Sequence, residues 1–369
     1  MLQLPPLSLY IHYPWCVKKC PYCDFNSHET IQEDSYIKAL LRDLDNSLSY
    51  IQGRKIHTIF IGGGTPSLIN LKDLEELFDG LKERLDFDNN IEITLEANPG
   101  AFEVEKFNNF RQIGINRLSI GVQSFNDNNL KLLGRIHSSN DAVLAIESAF
   151  KAGFDNVNID LMYGLQHQSL EDFNSDINTA IAFNTQHISL YQLTIEPNTY
   201  FAKFPPKLPS EEAIWEMGEN GSELLEKKGF NRYEVSAYGK TPSKHNLNYW
   251  LFGDYIGIGA GAHGKITDIN SSQIFRTEKP KSPKDYMTNS QKIPKTINNL
   301  QFDFMLNALR LKNGFETSLF ESRTGKSIYS ISDKLEKLEL LGLLELNEAK
   351  IKPTNKGFNF LNEVQGNFL

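Results

Sequence analysis

Between residue 7 and about residue 195 the chain repeats one unit: a short apolar, β-branched run, then a stretch with apolar residues at helical spacing. The runs are LSLYIHYP (7–14), HTIFIGGG (57–64), IEITLEANP (91–99), RLSIGVQS (117–124), NVNIDLMYG (156–164) and HISLYQL (187–193). Stretches such as DSYIKALLRDLDNSLSYI lie between them. Alternation of this kind predicts parallel βα units, with strands buried on both faces between helices. The fold class expected is therefore α/β, a full or partial (β/α) barrel.

Past residue 200 the pattern changes. KFPPKLPS reads as a proline-rich loop, EEAIWEMGENGSELLEKKG as a helix and RYEVSAYG as a strand. KHNLNYWLFGDYIGIGAGAHG is rich in glycine and aromatics, and SSQIFRTEKPKSPKDY reads as a polar connector. From about residue 300, three helical stretches precede AKIKPTNKG, which reads as a short β wing, and GFNFLNEV closes the chain. The expected domains are a barrel core over 1–200, an extension over 201–299 and a small winged-helix-like C-terminal domain over 300–369.

Charge narrows the partners. Lys and Arg number 38 against 46 Asp and Glu, a net charge of −8. Such a surface repels polyphosphate, and residues 300–369 carry nine basic and nine acidic side chains, so a DNA-reading wing is not expected. No nucleic-acid partner is predicted. With 40% apolar and 23% charged residues the chain can bury a large core. The first residues lack the basic region and cleavage site of a secretory signal, and no run of 18 apolar residues is present. A cytoplasmic location is the expectation.

Chemistry enters at the strand ends, where active sites gather in barrels of this kind. Those ends carry Cys16, the glycines of IGGGTP, Glu96, Gln123, Asp160 and Gln192, which predicts one shared pocket. All three cysteines of the chain, Cys16, Cys20 and Cys23, fall in YIHYPWCVKKCPYCDF at C-x3-C-x2-C spacing. An odd, tight set suits no disulfide framework. Three thiolates can hold a 4Fe–4S cluster with one iron left open for an exogenous ligand. Zinc, with His12 or His28 as fourth ligand, is the alternative. Tyr13, Trp15, Tyr22 and Phe25 fit either a shield around a cluster or ordinary core.

The C-x3-C-x2-C loop after the first strand, followed in order by GGGTP, LEANP, GVQSF and NIDLMYG, resembles the radical S-adenosylmethionine (SAM) superfamily. Within it the chain is similar, over nearly its whole length, to the oxygen-independent coproporphyrinogen III oxidase-like group. That resemblance implies a 4Fe–4S cluster on Cys16, Cys20 and Cys23. It implies SAM binding by Tyr10, Gly63, Gly64, Thr65, Glu96, Gln123, Arg135 and Asp160.

Two departures separate the chain from the oxidases themselves. Phe25 stands where they carry a fourth cysteine, and the segment ahead of Cys16 is shorter. KHNLNYW, with His245, Asn246, Tyr249 and Trp250, instead resembles the HNxxYW motif of the group's haem-chaperone branch, the HemW type. This implies haem as a third bound group with His245 as its ligand, acceptor haemoproteins such as respiratory enzymes as partners, and no catalytic residue. Transient contact with membrane-bound acceptors and a homodimer are further expectations. An oxidase-like radical enzyme acting on a porphyrinogen or another small molecule is the alternative. GAGAHG, holding His263, is also typical of the group, and no role is assigned to it.

Overall fold

The computed structural model describes residues 1–29, 35–100, 106–290 and 293–369. Six strands follow the predicted runs: β1 (Leu7–Tyr13), β2 (Ile56–Gly63), β3 (Phe87–Ala97), β4 (Arg117–Gln123), β5 (Asn156–Tyr163) and β6 (His187–Gln192). They pair in parallel in chain order, with helices in the connections.

Beyond them lie β7 (Asn231–Arg232), β8 (Ala237–Gly239), β9 (Asp254–Ile258), β10 (His263–Asp268), β11 (Gln273–Glu278) and β12 (Ile293–Thr296). The sheet runs β12-β11-β10-β9-β1-β2-β3-β4-β5-β6-β8-β7. β9 joins β1 in parallel, while β8 on β6 and β10 on β9 are antiparallel. Each end of the parallel set is thus occupied by an antiparallel strand, and the two ends do not meet: the barrel is partial.

Two expectations change. The stretch expected to be a polar connector contains β11, which pairs with both β10 and β12. Its alternation of Ile274, Arg276 and Glu278 with Phe275 and Thr277 was masked by flanking Ser, Lys and Pro. The parallel strands are also not apolar on both faces. Leu9, Ile11, Ile59, Ile61, Leu95, Leu118, Ile120, Val157, Ile159 and Ile188 form the buried outer layer packed under the helices. The inner face carries Ser8, Tyr10 and His12 of β1, Glu92 and Glu96 of β3, Ser119 of β4, Asn158 and Asp160 of β5, and Ser189 of β6. Burying each large aliphatic side chain of the outer layer contributes about 1.5–3 kcal/mol. The polar inner layer is tolerated only because its members bond one another or face a cavity.

The C-terminal module has its own core, with Phe304, Phe315, Phe320, Leu338 and Ile351 buried together. The helices Leu300–Ala308, Thr317–Thr324 and Ser332–Leu340 pack on a small antiparallel sheet of β13 (Phe315–Glu316), β14 (Leu344–Leu346) and β15 (Lys350–Pro353). Phe252 packs edge-on against Phe304, and Arg310 pairs with the buried Glu234, tying module to barrel. Among the described residues no helix is long and apolar enough to cross a membrane.

Candidate functional site

The strand ends surround a cavity of about 480 Å³. Cys16, Cys20 and Cys23 line it from the loop after β1, together with Gly63, Gly64, Thr65, Glu96, Gln123, Arg135, Asp160 and Gln192. The pocket expected from scattered strand ends is therefore one space. The glycines answer to the protein's own packing: a Cβ on Gly64 would lie 2.4 Å from the Trp15 carbonyl oxygen, and one on Gly63, at φ +120°, 2.7 Å from the His12 ring. The Gly64 N–H donates to Tyr13 O and the Thr65 N–H to Trp15 O, holding the glycine turn against the cysteine loop. Gln123 adopts φ +69°, where the pairing of β4 with β5 slips. A non-glycine residue at that φ is costly and is found disproportionately at functional sites.

Arg135 bridges the two halves of the cavity. Its Nη2 donates to Asn98 Oδ1 (2.7 Å) and Gly121 O (2.8 Å), and its Nη1 lies 3.7 Å from Cys20 Sγ. Its Nε is buried and has no hydrogen-bond partner. Asn98 in turn donates to Thr65 Oγ1 at 2.9 Å. Asn98 and Asn158 also line the cavity, beyond the residues expected from the sequence. LEANP shows Asn98 two positions beyond Glu96, on the same face of an extended chain, and that spacing was the available signal.

Two carboxyls share the interior. Asp160 accepts from Ser119 Oγ (3.1 Å) and Asn158 Nδ2 (2.8 Å), and Glu96 accepts from the Gly63 N–H at 3.1 Å. Burial, then repulsion from Asp160, pushes the Glu96 carboxyl up to about 7. A carboxyl raised from an unfolded value of about 4.3 keeps its proton in the fold where the unfolded chain has lost it, so stability falls as pH rises between those values. Glu96→Gln keeps the acceptor for Gly63 and removes the charge. In ligand-free protein it is expected to raise stability by about 1–3 kcal/mol at pH 8 and to have little effect at pH 4. Urea unfolding at both pH values checks this; equal effects at both would contradict it.

The cavity fits the two groups implied for it. All three thiols, Cys16, Cys20 and Cys23, line this one cavity. Three thiolates could hold a 4Fe–4S cluster there and would leave one iron open for an exogenous ligand. Burial pushes the Cys16 and Cys23 thiols up, and neighbouring thiols raise both further. Cluster binding would accordingly release protons. The unpartnered Arg135 Nε suits a carboxylate, and Glu96 with Asp160 suits hydroxyl and cationic groups.

A second cavity of about 900 Å³ adjoins the first, sharing Lys19, Asp24, Phe25, Gly63 and Glu96 as wall. Tyr10 borders this larger space, with its hydroxyl 2.9 Å from His12 Nδ1. The helix Lys244–Trp250 stands between the two. It presents Asn246 to the smaller cavity and Tyr249 and Trp250 to the larger one. The buried Glu92 carboxylate caps it, accepting from Ser243 Oγ and from the N–H groups of Lys244 and His245.

His245 lies in neither cavity wall. It is 1% exposed, with Nδ1 2.6 Å from Thr58 Oγ1 and Nε2 2.9 Å from the Tyr249 hydroxyl. Burial pushes its pKa down to about 3, so the ring is neutral. Both ring nitrogens are engaged, and the side chain pins the helix to β2. As an iron ligand it would have to give up one of these bonds. His263, which had no role, lines the larger cavity.

Comparison with known proteins accords with this geometry. The radical SAM superfamily profile matches residues 10–180 and the HemN C-terminal domain profile residues 298–360. The heme chaperone HemW of Haemophilus influenzae is 46% identical over 383 residues, spanning 100% of this chain and 99% of that protein. HemW of Bacillus subtilis is 34% identical, spanning 98% and 99%. The solved coproporphyrinogen III oxidase (HemN) of Escherichia coli superposes with a TM-score of 0.84 over 99% of this chain and 90% of its own. At 24% identity that likeness establishes the fold.

Proposed function

Since the chain belongs to the HemW family of the radical SAM superfamily, we propose that it is a haem chaperone, which binds haem and hands it to acceptor haemoproteins such as respiratory enzymes. The observation that carries this reading is the helix Lys244–Trp250, which contributes side chains to the walls of both cavities. The smaller cavity takes the 4Fe–4S cluster on Cys16, Cys20 and Cys23. SAM lies beside it, with Arg135 at its carboxylate and Glu96, Gln123, Asp160, Gly63, Gly64 and Thr65 around the remainder. Tyr10 supports that wall from the far side. The cluster supplies an electron to SAM when both are bound. The larger cavity takes haem: its volume of about 900 Å³ lies within the range of small-molecule sites, and Tyr249, Trp250 and Tyr255 offer aromatic faces for a porphyrin.

Phe25 supports a carrier over an oxidase, because the side chain at that position lines both cavities and has no thiol. The protein acts in the cytoplasm in this reading, with membrane-bound acceptors met transiently and a homodimer as its working form. The test uses anaerobically reconstituted protein, titrated with haem and separately offered coproporphyrinogen with SAM and a reductant. Saturable haem binding without porphyrinogen consumption is expected. Conversion of the porphyrinogen would establish the oxidase alternative instead.

A further inference from the structure

Two histidines, His12 and His263, line the larger cavity, with His245 and His28 behind the walls, and their hydrogen bonds separate them. His12 is 6% exposed, accepting from the Tyr10 hydroxyl at Nδ1 and donating from Nε2 to Asn26 O at 2.8 Å. His245 is saturated in the same way. His28 has a buried Nε2 without a partner but lines neither cavity. His263 differs from all three. It opens β10 with a side chain 53% exposed, and it lines the larger cavity. Its Nδ1 lies 3.9 Å from Glu278 Oε1, its register partner on β11, and among the described residues its Nε2 has no hydrogen-bond partner.

The surroundings complete a site for a flat, dianionic ligand with a metal at its centre. Phe25 is 59% exposed and shares the cavity wall with Trp250 and Tyr255. Lys281, exposed and without an ion pair among the described residues, stands on the same wall, as does Lys19. A carboxylate next to the far nitrogen of a ligating imidazole fixes its tautomer and raises its basicity. Glu278, whose other oxygen is paired with Lys295 Nζ, lies on that side of His263 beyond hydrogen-bond length and acts on the ring by its charge.

We propose that His263 is the axial iron ligand for haem in the larger cavity, with Lys281 and Lys19 meeting the propionate groups. This rests on the haem-carrier reading above. Burial pushes the His263 imidazole below its ordinary pKa, so a neutral lone pair is available at physiological pH. His245 acts behind the site, as a positioning residue that holds Tyr249 and the helix bearing Trp250.

The test compares haem titrations of the wild type, His263→Ala, His263→Gln and His245→Ala, with absorption and electron paramagnetic resonance of the bound iron. The wild type should bind saturably with a histidine-ligated spectrum. Both His263 variants should lose that signature and bind haem at least tenfold more weakly, and added imidazole should restore the spectrum. Because His263 is exposed, their circular dichroism should match the wild type. His245→Ala should keep the ligand signature in whatever haem it binds. An unchanged spectrum and affinity in both His263 variants would refute the ligand assignment and leave the carrier reading standing. Absence of saturable haem binding by the wild type would overturn both.

Discussion

Replacing Cys20 with Ala is expected to abolish the broad iron–sulfur absorption of the reconstituted protein and drop its iron well below four per chain, while unfolding of the cluster-free chain barely changes. Cys20 is half-buried, and among the described residues its sulfur accepts one hydrogen bond, from Arg135 Nη1 at 3.7 Å. Little packing is lost with it. The cluster, by contrast, has only three thiols to hold it, because no other cysteine exists in the chain. With one removed, two irons lack protein ligands. Arg135 keeps its bonds to Asn98 and Gly121, so the cavity should keep its shape. Iron analysis and absorption spectra of the reconstituted variant check this. A full 4Fe–4S complement would show that the ligand set is wrong.

Replacing Asp254 with Ala should have the largest effect on folding, about 3–5 kcal/mol. Asp254, at the start of β9, is fully buried. It accepts from Arg54 Nη1 (2.7 Å), Lys265 Nζ (2.8 Å), the Thr267 N–H (2.8 Å) and Thr267 Oγ1 (2.9 Å). Removing the carboxylate leaves the Lys265 ammonium, 2% exposed, buried without its counter-ion. Pairing Asp254→Leu with Lys265→Met should recover much of the loss, since apolar replacements remove both desolvation costs. Burial pushes the Asp254 carboxyl up, but Lys265, Arg54 and Thr267 together hold it below its ordinary value. For a depressed carboxyl the stabilisation is present above the unfolded value, about 3.9, and is lost as pH falls through the folded one. Wild-type stability should therefore fall more steeply below about pH 4 than that of the double variant. A loss under about 1 kcal/mol for Asp254→Ala in urea unfolding would contradict a buried network of this kind.

The repeating runs made β1 to β6 legible, because a parallel strand covered by helices must be apolar over at least one face. The second layer was harder to read. IEITLEA, RLSIGVQ, NVNIDLMY and HISLYQ each alternate, with Glu96, Ser119, Asp160 and Ser189 turned inward. That period of two is present in the sequence but lies within near-continuous apolar runs. β9 pairs with β1 across more than 240 residues, a contact that no local pattern announces. The cysteines and strand-end residues were legible as a set, since position after a strand and chemical type sufficed. Positions of the histidines were not. His245 carries the motif but spends both nitrogens on Thr58 and Tyr249, whereas His263 is marked out by its exposure and by an Nε2 without a hydrogen-bond partner among the described residues. Hydrogen-bond partners set that difference, and they come from strands distant in the chain.

In the carrier reading this protein binds haem and releases it to another protein. The most direct test loads reconstituted protein with one equivalent of haem, mixes it with an apo-cytochrome, and follows the acceptor's Soret band. Transfer should depend on the concentration of both proteins and outpace capture of haem released spontaneously to a scavenger. Transfer no faster than that spontaneous release would contradict a carrier.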